Sequence, residues 1–158
     1  MKKILSLIVL LIAFSSCEED VQFNNPAIQG LKDDELWRAV EFSATRGATS
    51  GALTITASNG FEILTLKTTS TDAGTYILGN NEANKASFVL SADGIEMAYQ
   101  TGTGLGDGEI KISALPTETN VTAGFISGNF KFNAFDDEDN ALNFRDGVFY
   151  KIPITVVP

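Results

Sequence analysis

The sequence predicts an all-β protein, a single antiparallel β-sandwich or flattened β-barrel of about ten short strands, with little or no helix beyond its N-terminal apolar segment. Three observations predict this class. From residue 27 onward apolar and polar residues alternate with a period of two, Asn-Gly and Asp-Gly turns interrupt the alternation, and no stretch of helical length keeps a 3.6-residue period. The 158 residues suffice for one domain with a core. Both architectures cover the apolar strand faces, so they remain open alternatives.

The first element is a signal peptide over residues 1–16. Lys2 and Lys3 form a positive segment, the apolar run Ile4–Phe14 follows, and the small residues of SSC lead to Cys17. The apolar run is much shorter than the ~20 residues that span a bilayer. We therefore expect an export signal rather than a permanent transmembrane helix.

Cys17 is the single cysteine of the chain and follows the sequence LIAFSS. This stretch resembles the lipobox of bacterial lipoproteins, although Phe14 stands where Leu is commonest. The resemblance implies that Cys17 is joined by a thioether to diacylglycerol and becomes the mature N-terminus. Two or more acyl chains, at ~0.8 kcal/mol per buried CH₂, would hold the protein on a membrane. The alternative is a free, oxidation-prone thiol.

Three acidic residues follow the cysteine, Glu18, Glu19 and Asp20. They resemble the short acidic signal that, in Bacteroidota lipoproteins, directs transfer to the outside of the outer membrane. The alternative is that they only solvate a flexible acidic tether over residues 17–26. The resemblance implies an outer-membrane protein, lipid-anchored and exposed at the cell surface, with the antiparallel β domain spanning residues 27–158.

The β domain begins with AIQGLKDDELWRAVEF, which we interpret as a hairpin that turns at Asp33 and Asp34. A short helix from Leu31 to Ala39 is the alternative. Trp37 lies in the alternating pattern and is predicted to be a core residue, although an aromatic ring of this kind can also stack on sugars.

Two further hairpins follow. In ALTITAS, the alternation places Leu53, Ile55 and Ala57 on one face before a turn at Asn59 and Gly60.

The next hairpin turns at Asp93 and Gly94, between strands Phe88–Ala92 and Ile95–Thr101. Three later strands complete the pattern, and the last of them contains Pro153. Because proline lacks an amide proton, it should mark an edge, a bulge or the end of pairing. The predicted inward faces of these strands are Ile110 and Ile112; Ile126, Phe130, Phe132 and Ala134; and Val148, Tyr150, Ile152, Ile154 and Val156.

Composition restricts the chemistry. Lys and Arg total 11 against 20 Asp and Glu, and the net charge of −9 disfavours nucleic acid as a partner. The chain has no histidine and one cysteine, which excludes Ser-His and Cys-His nucleophiles and the usual zinc ligand sets. A glycosidase would need two carboxylates at a cleft, but the strand carboxylates are predicted to face solvent. These are Glu41, Glu62, Glu96 and Glu109. We therefore expect no catalytic residue, no enzyme activity and no cofactor.

Two loops could bind ions. The glycine-rich stretch from Thr101 to Glu109 could cradle phosphate, but it leads into a strand, which favours a flexible hairpin loop. Four consecutive acids, Asp136 to Asp139, could form a weak Ca²⁺ site with a dissociation constant on the order of 10⁻⁴–10⁻³ M, although the EF-hand spacing is absent. The alternative is a solvated loop, and no metal ligand is assigned.

Across residues 27–154 the chain resembles a family of small Bacteroidota lipoproteins without an assigned activity. The resemblance rests on DDELWRA, GTYILG, GEIKI, ISGNFKFNA and GVFYKIPI. It carries over no functional site. Two functions remain: a binding or interaction module for a protein or glycan partner, with loops presented away from the membrane, and a lipocalin-like barrel that carries a small apolar ligand. The large complement of phenylalanine favours a filled interior and hence the first.

Overall fold

A computed structural model describes residues 27–92 and 94–158 of the chain. These residues form a single mixed sheet of eleven strands and contain no helix, which confirms the all-β class. No segment within them is a helix long and apolar enough to cross a membrane. The strands are β1 (Ala27–Lys32), β2 (Glu35–Arg38), β3 (Glu41–Gly47), β4 (Leu53–Ser58), β5 (Glu62–Thr68), β6 (Gly74–Leu78), β7 (Lys85–Ala92), β8 (Ile95–Gln100), β9 (Asp107–Ile112), β10 (Phe125–Phe135) and β11 (Ala141–Val157).

The sheet folds over into two layers. One layer has the strand order β6-β9-β10-β11-β1-β2 and the other has the order β3-β4-β5-β7-β8. Rings from the two layers touch, as when Phe88 of β7 packs on Trp37 of β2 and on Phe144 of β11. The two predicted architectures therefore merge: the domain is a sandwich whose layers join at their borders into a flattened barrel.

The layers join at two seams. At the closed seam, residues 154–157 of β11 pair with residues 44–47 of β3. At the open seam, β10 meets β8 through one residue pair, Phe135 opposite Gln100. The strands at the closed seam run parallel, whereas every other pairing between the described strands is antiparallel. This parallel pair is a departure from the predicted antiparallel topology.

The predicted hairpins are confirmed. Asp33 and Asp34 link β1 to β2 with φ angles of 48° and 70°, as a type I′ turn requires, so the helical alternative is wrong. β4 turns at Asn59 and Gly60 into β5, and its inward residues Leu53, Ile55 and Ala57 are buried as expected.

In the next hairpin, Ala92 of β7 lies opposite Ile95 of β8, so the connection has the predicted length. Asp93 lies outside the described residues. β8 ends at Gln100, one residue before the expected end at Thr101.

The predicted inward faces of β9 and β10 are also confirmed, but that of β11 is wrong at both ends, since Val148 and Val156 are exposed. Val148 is 41% exposed and Phe149 is buried in its place, while Ile152 is buried as expected. Two β-bulges explain the change, because the register with β10 shifts twice. Asp146 and Lys151 lie in these bulges with φ angles of 51° and 50°, and each extra residue moves the following side chains to the opposite face.

Pro153 lies where one pairing of β11 ends, which is one of the roles predicted for it. On one edge of β11, pairing with β1 ends at Tyr150 and pairing with β3 begins at Ile154. The backbone N–H of Ile154 donates to Gly124 on the other edge, so the nitrogen of Pro153 faces the gap between β1 and β3. The proline therefore occupies the position where one neighbouring strand is exchanged for another.

Aromatic side chains fill the space between the layers. The ring of Phe144 lies 5.2–5.8 Å from the rings of its neighbours and is fully buried. Gly147 makes room for this packing, because a Cβ there would lie 2.5 Å from the ring of Phe130. The neighbours of Phe144 are Trp37, Phe88, Phe130 and Phe132.

Candidate functional site

Four connections meet at one end of the barrel, which we call the hairpin end: residues 33–34, residues 59–61, the β7–β8 connection at Gly94, and residues 136–140. Direct contacts bring them together. Asp33 N donates to Asn143 O at 2.9 Å beside the last turn, and Ser91 N donates to Phe61 O at 2.9 Å. The first described residue, Ala27, lies opposite Tyr150, well along β11 from this end. The chain therefore enters the domain away from the hairpin end.

Glu62 is the carboxylate of the hairpin end through which side chains of both layers meet. Its Oε2 accepts hydrogen bonds from Trp37 Nε1 at 2.8 Å and from Asn59 Nδ2 at 2.6 Å, and its Oε1 forms an ion pair with Lys32 Nζ. The ammonium group also lies 5.0 Å from the ring centroid of Phe88. This contact set fastens the β1–β2 hairpin of one layer onto the other layer.

The expected solvent-facing position of Glu62 is wrong, because its side chain is only 14% exposed. Glu62 shares the strand face of the buried residues Leu64 and Leu66, so the period-two pattern already placed it inward. Glu41 and Glu96 are exposed as predicted, whereas Glu109 is partly covered and pairs with Lys131 at 3.2 Å.

The electrostatics of Glu62 favour its charged form. Burial by itself would raise its pKa, but the hydrogen bonds and charge of Lys32, together with the donors Asn59 and Trp37, outweigh this and lower the pKa below the ordinary glutamate value. An ionised carboxylate held by three donors braces the two layers. Because both of its oxygens are engaged by these donors, Glu62 is not positioned to exchange a proton with a substrate.

The acidic loop that follows β10 is ordered by its own first residue. Asp136 Oδ1 accepts the backbone N–H groups of Glu138 and Asn140 at 2.9 and 2.8 Å, and its Oδ2 accepts Asn140 Nδ2 at 2.9 Å. The side-chain hydrogen bond from Asn140 is the largest cause that lowers the pKa of Asp136. Within residues 27–92 and 94–158 no group of three or more metal-ligating side chains is gathered. Both carboxylate oxygens of Asp136 accept hydrogen bonds from the loop itself.

A cleft runs along the open seam between β8 and the acidic loop. It has a volume of about 400 Å³ and is lined by Glu96, Met97 and Ala98 on one side and by residues of the 136–140 loop on the other. The next residue along β8, Tyr99, is only 9% exposed. Burial raises the pKa of Tyr99, and the nearby charges of Asp136 and Asp33 raise it further.

Exposed apolar side chains flank this cleft and the neighbouring turn. Phe61 is 67% exposed, Ile95 is 64% exposed and Met97 is 37% exposed. Sequence reasoning missed all three as functional candidates. The available signal was an apolar residue directly after each turn dipeptide, Phe61 after Asn59-Gly60 and Ile95 after Asp93-Gly94, where turns usually carry polar residues.

A larger groove, of about 440 Å³, lies on the outer face of the six-stranded layer. Its lining includes Lys111, Glu118 and Tyr150. Ser113 Oγ donates to Glu118 Oε2 at 2.6 Å, so polar groups of this groove already satisfy one another. The open seam combines a cleft, charge and exposed apolar groups, and we take it as the candidate site.

Two other candidates from the sequence, Trp37 and the glycine-rich segment, have structural roles. Trp37 is 3% exposed and is a core residue as predicted. The glycine-rich segment connects β8 to β9 as a loop, and Glu82 holds it by accepting the N–H of Thr103 at 2.7 Å. A carboxylate therefore lies against this backbone, where a phosphate would have to bind.

The residues predicted for lipidation and export, Cys17 and Glu18 to Asp20, lie outside the described residues, as do the predicted signal peptide and the predicted tether. The lipocalin-like alternative requires open interior space. Buried phenylalanines from both layers occupy that position, so the geometry gives it no support.

These features define a class: a small all-β domain with a filled, flattened-barrel interior and one open seam at its hairpin end. Residues 24–153 match the family described as a domain of unknown function (DUF6252), and the chain belongs to this family. The match covers nearly all of the span on which the sequence resemblance rests. No curated protein and no solved structure matches the chain.

Proposed function

We propose that the protein is a lipid-anchored lipoprotein of the outer membrane, displayed at the cell surface, whose β domain works as a binding module. One observation carries the proposal: the exposed apolar side chains and the open seam lie together at the hairpin end, whereas the chain enters β1 at Ala27, away from it. A domain tethered through its N-terminus would thus present the hairpin end away from the membrane. Binding surfaces are commonly formed by loops that a rigid scaffold positions.

The anchor is supported by the sequence. Lys2, Lys3 and the apolar run before SSC fit an export signal, and Cys17 is the single thiol of the chain. The residues between Cys17 and Ala27 reach at most about 3.5 Å each when extended, which is enough to lift the domain clear of lipid headgroups. The module would act by binding rather than by catalysis, since Glu62, a largely enclosed carboxylate, is occupied by three donors.

Metabolic labelling with radioactive palmitate tests the anchor. We expect the wild-type chain to incorporate label and to partition into detergent, and Cys17→Ser to do neither. Ser15→Ala, which keeps a small residue in the processing site, is the matched control and should be labelled normally. Label in the Cys17→Ser chain would overturn the anchor.

Protease treatment of intact cells tests the display. The wild-type domain should be digested, whereas a chain with Glu18, Glu19 and Asp20 all replaced by Ala should stay protected until the cells are lysed. A wild-type domain protected in intact cells would overturn surface display. Equal digestion of both chains would show that the three acids are only a tether.

A further inference from the structure

We propose that the open seam binds an extended, basic peptide segment, which adds as a β-strand beside β8. The inference rests on the proposed function, because it names the partner of the hairpin end that the anchored domain would present. It goes further by assigning the chemistry of that partner: Lys or Arg alternating with apolar residues.

The backbone of β8 has a free edge at this seam. Thr101 N donates to Ala86 O at 2.9 Å, and the antiparallel register continues this bonding to β7 at every second residue, through Tyr99, Met97 and Ile95. The N–H and C=O groups of Glu96 and Ala98 therefore point away from β7. Among the described residues, the pairing of β8 with β10 is confined to Gln100. Unpaired strand edges of this kind are templates for an added strand.

The cleft beside this edge is acidic. Glu96 lines one wall, and Asp136, Asp137 and Glu138 line the other. Four ion pairs form within the described part of the chain, and none of them involves these side chains. At the hairpin end, Lys32 pairs with Glu62 and Arg145 pairs with Asp34. The charge therefore remains available to a partner, and a basic segment would relieve the repulsion between the two walls.

The two faces of β8 set the pattern of the partner. Glu96 and Ala98 point to the outer face, whereas Met97 and Ile95 share the inward face of buried Tyr99. Residues of an added strand lie beside residues of the same face. Basic side chains on one face would therefore meet Glu96 and the acidic loop, and apolar side chains on the other would cover Met97 and Ile95. A second copy of this chain is a poor occupant, because it would bring the same acidic walls.

The test uses the full chain purified in detergent and a fluorescein-labelled hexapeptide, Lys-Val-Lys-Val-Lys-Val, followed by fluorescence anisotropy. The matched probe Glu-Val-Glu-Val-Glu-Val has the same strand-forming pattern and the opposite charge. We expect saturable binding of the basic probe that weakens as salt is raised, and no saturable binding of the acidic probe.

Ala98→Pro tests the backbone edge. Proline removes the N–H that faces the seam but leaves the bonds between β7 and β8, and edge strands tolerate proline at such positions. Leu36→Pro is the matched control. Ala39 N donates to Ile28 O, so by the same alternation the N–H of Leu36 faces the free edge of β2. We expect about a ten-fold loss of affinity for Ala98→Pro and less than about a two-fold change for Leu36→Pro.

A charge series keeps the proposal falsifiable if Ala98→Pro perturbs the fold. Glu96→Gln, Asp137→Asn and Glu138→Gln together keep the shapes of the side chains and remove three charges. Affinity for the basic probe should fall about ten-fold and lose most of its salt dependence. Glu35→Gln with Glu41→Gln, both exposed acids that do not line the cleft, should leave affinity within about two-fold.

Several outcomes would overturn the inference. They are equal binding of both probes, unchanged affinity in Ala98→Pro with the fold intact, equal losses in the control variants, and a dimer in sedimentation velocity that Ala98→Pro dissolves, which would assign the seam to a second copy. These measurements do not depend on lipid. Failure of palmitate labelling would therefore overturn the anchor alone, whereas failure of peptide binding would overturn the seam alone.

Discussion

At the closed seam, β11 pairs with β3 over residues 154–157, whereas at the open seam β10 meets β8 through the single pair Phe135–Gln100. β11 reaches its partner because it spans 17 residues and bends at two bulges, while β10 ends after 11 residues. One border of the barrel is therefore joined by a backbone ladder. Side chains also hold the two layers together, with Lys32 and Trp37 of the β1–β2 hairpin and Asn59 gathered on Glu62 of β5. A sheet can thus close structurally and still keep one edge free for a partner.

The largest expected effect on stability comes from a substitution in the aromatic core, which packs against both layers. Phe144 touches four aromatic rings from the two layers, and Phe144→Ala should lower the free energy of unfolding by about 3–5 kcal/mol. Urea denaturation followed by circular dichroism measures this. Because the core is common, both seams should open in a single transition. Two separate transitions would show that the layers are independent units.

Glu62→Ala should have the next largest effect, because it leaves the partly buried donors of Trp37, Asn59 and Lys32 without their acceptor. We expect a loss of about 3 kcal/mol from three hydrogen bonds, each worth about 1 kcal/mol. The control Glu41→Ala, at an exposed carboxylate, should change stability by less than about 0.5 kcal/mol.

The pH dependence of this loss has a defined sign. The pKa of folded Glu62 lies below 4.5, the ordinary value, so the carboxylate stabilises the fold fully above that value and the stabilisation disappears as the pH falls through the folded pKa. The stability difference between the wild type and Glu62→Gln should therefore be constant near neutral pH and shrink as the pH falls below the ordinary value of 4.5. A difference that persists unchanged in acid would contradict a role for the charge.

Thr155→Pro sharpens the comparison at the closed seam. Ile154 N donates to Gly124 O on the β10 side, so the N–H of Thr155 faces β3 and the proline removes a bond of the ladder. We expect a loss of about 2 kcal/mol, measured as a shift of the urea midpoint. Thr155→Val, which keeps the N–H, is the control.

Ala98→Pro at the open seam should have the smallest effect, below about 1 kcal/mol, because its N–H bonds no other described strand. Amide hydrogen exchange checks the same edge without substitution. Glu96 and Ala98 should exchange faster than their neighbours Met97 and Tyr99. Uniform protection along β8 would mean that this edge is already covered.

The local elements could be predicted from the sequence because their signals are local. Asp33-Asp34 and Asn59-Gly60 favour turns by their own backbone preferences, and the alternation in β4, β9 and β10 fixes which side chains face the core. The same alternation predicts an inward Glu62, whereas its charge favours a solvent-facing position, and the alternation is correct.

The remaining features depend on pairings between distant segments. The bulges of β11 contain Asp146 and Lys151, neither of which is a glycine that would signal a positive φ. The parallel pairing with β3 joins residues that are more than a hundred positions apart. The open seam is defined by a pairing that is nearly absent, so it becomes visible only when the neighbours of every strand are known.

The position of Trp37 has a spectroscopic consequence. It is the single tryptophan of the chain, and its indole lies between Phe88 and Phe144 while its N–H donates to Glu62. The indole belongs to one layer, whereas Phe88 and Glu62 belong to the other, so the emission of this fluorophore depends on the layers being docked. Trp37 can therefore report on the docking of the layers. Its emission should shift to longer wavelength when the two sheets separate and water reaches the indole.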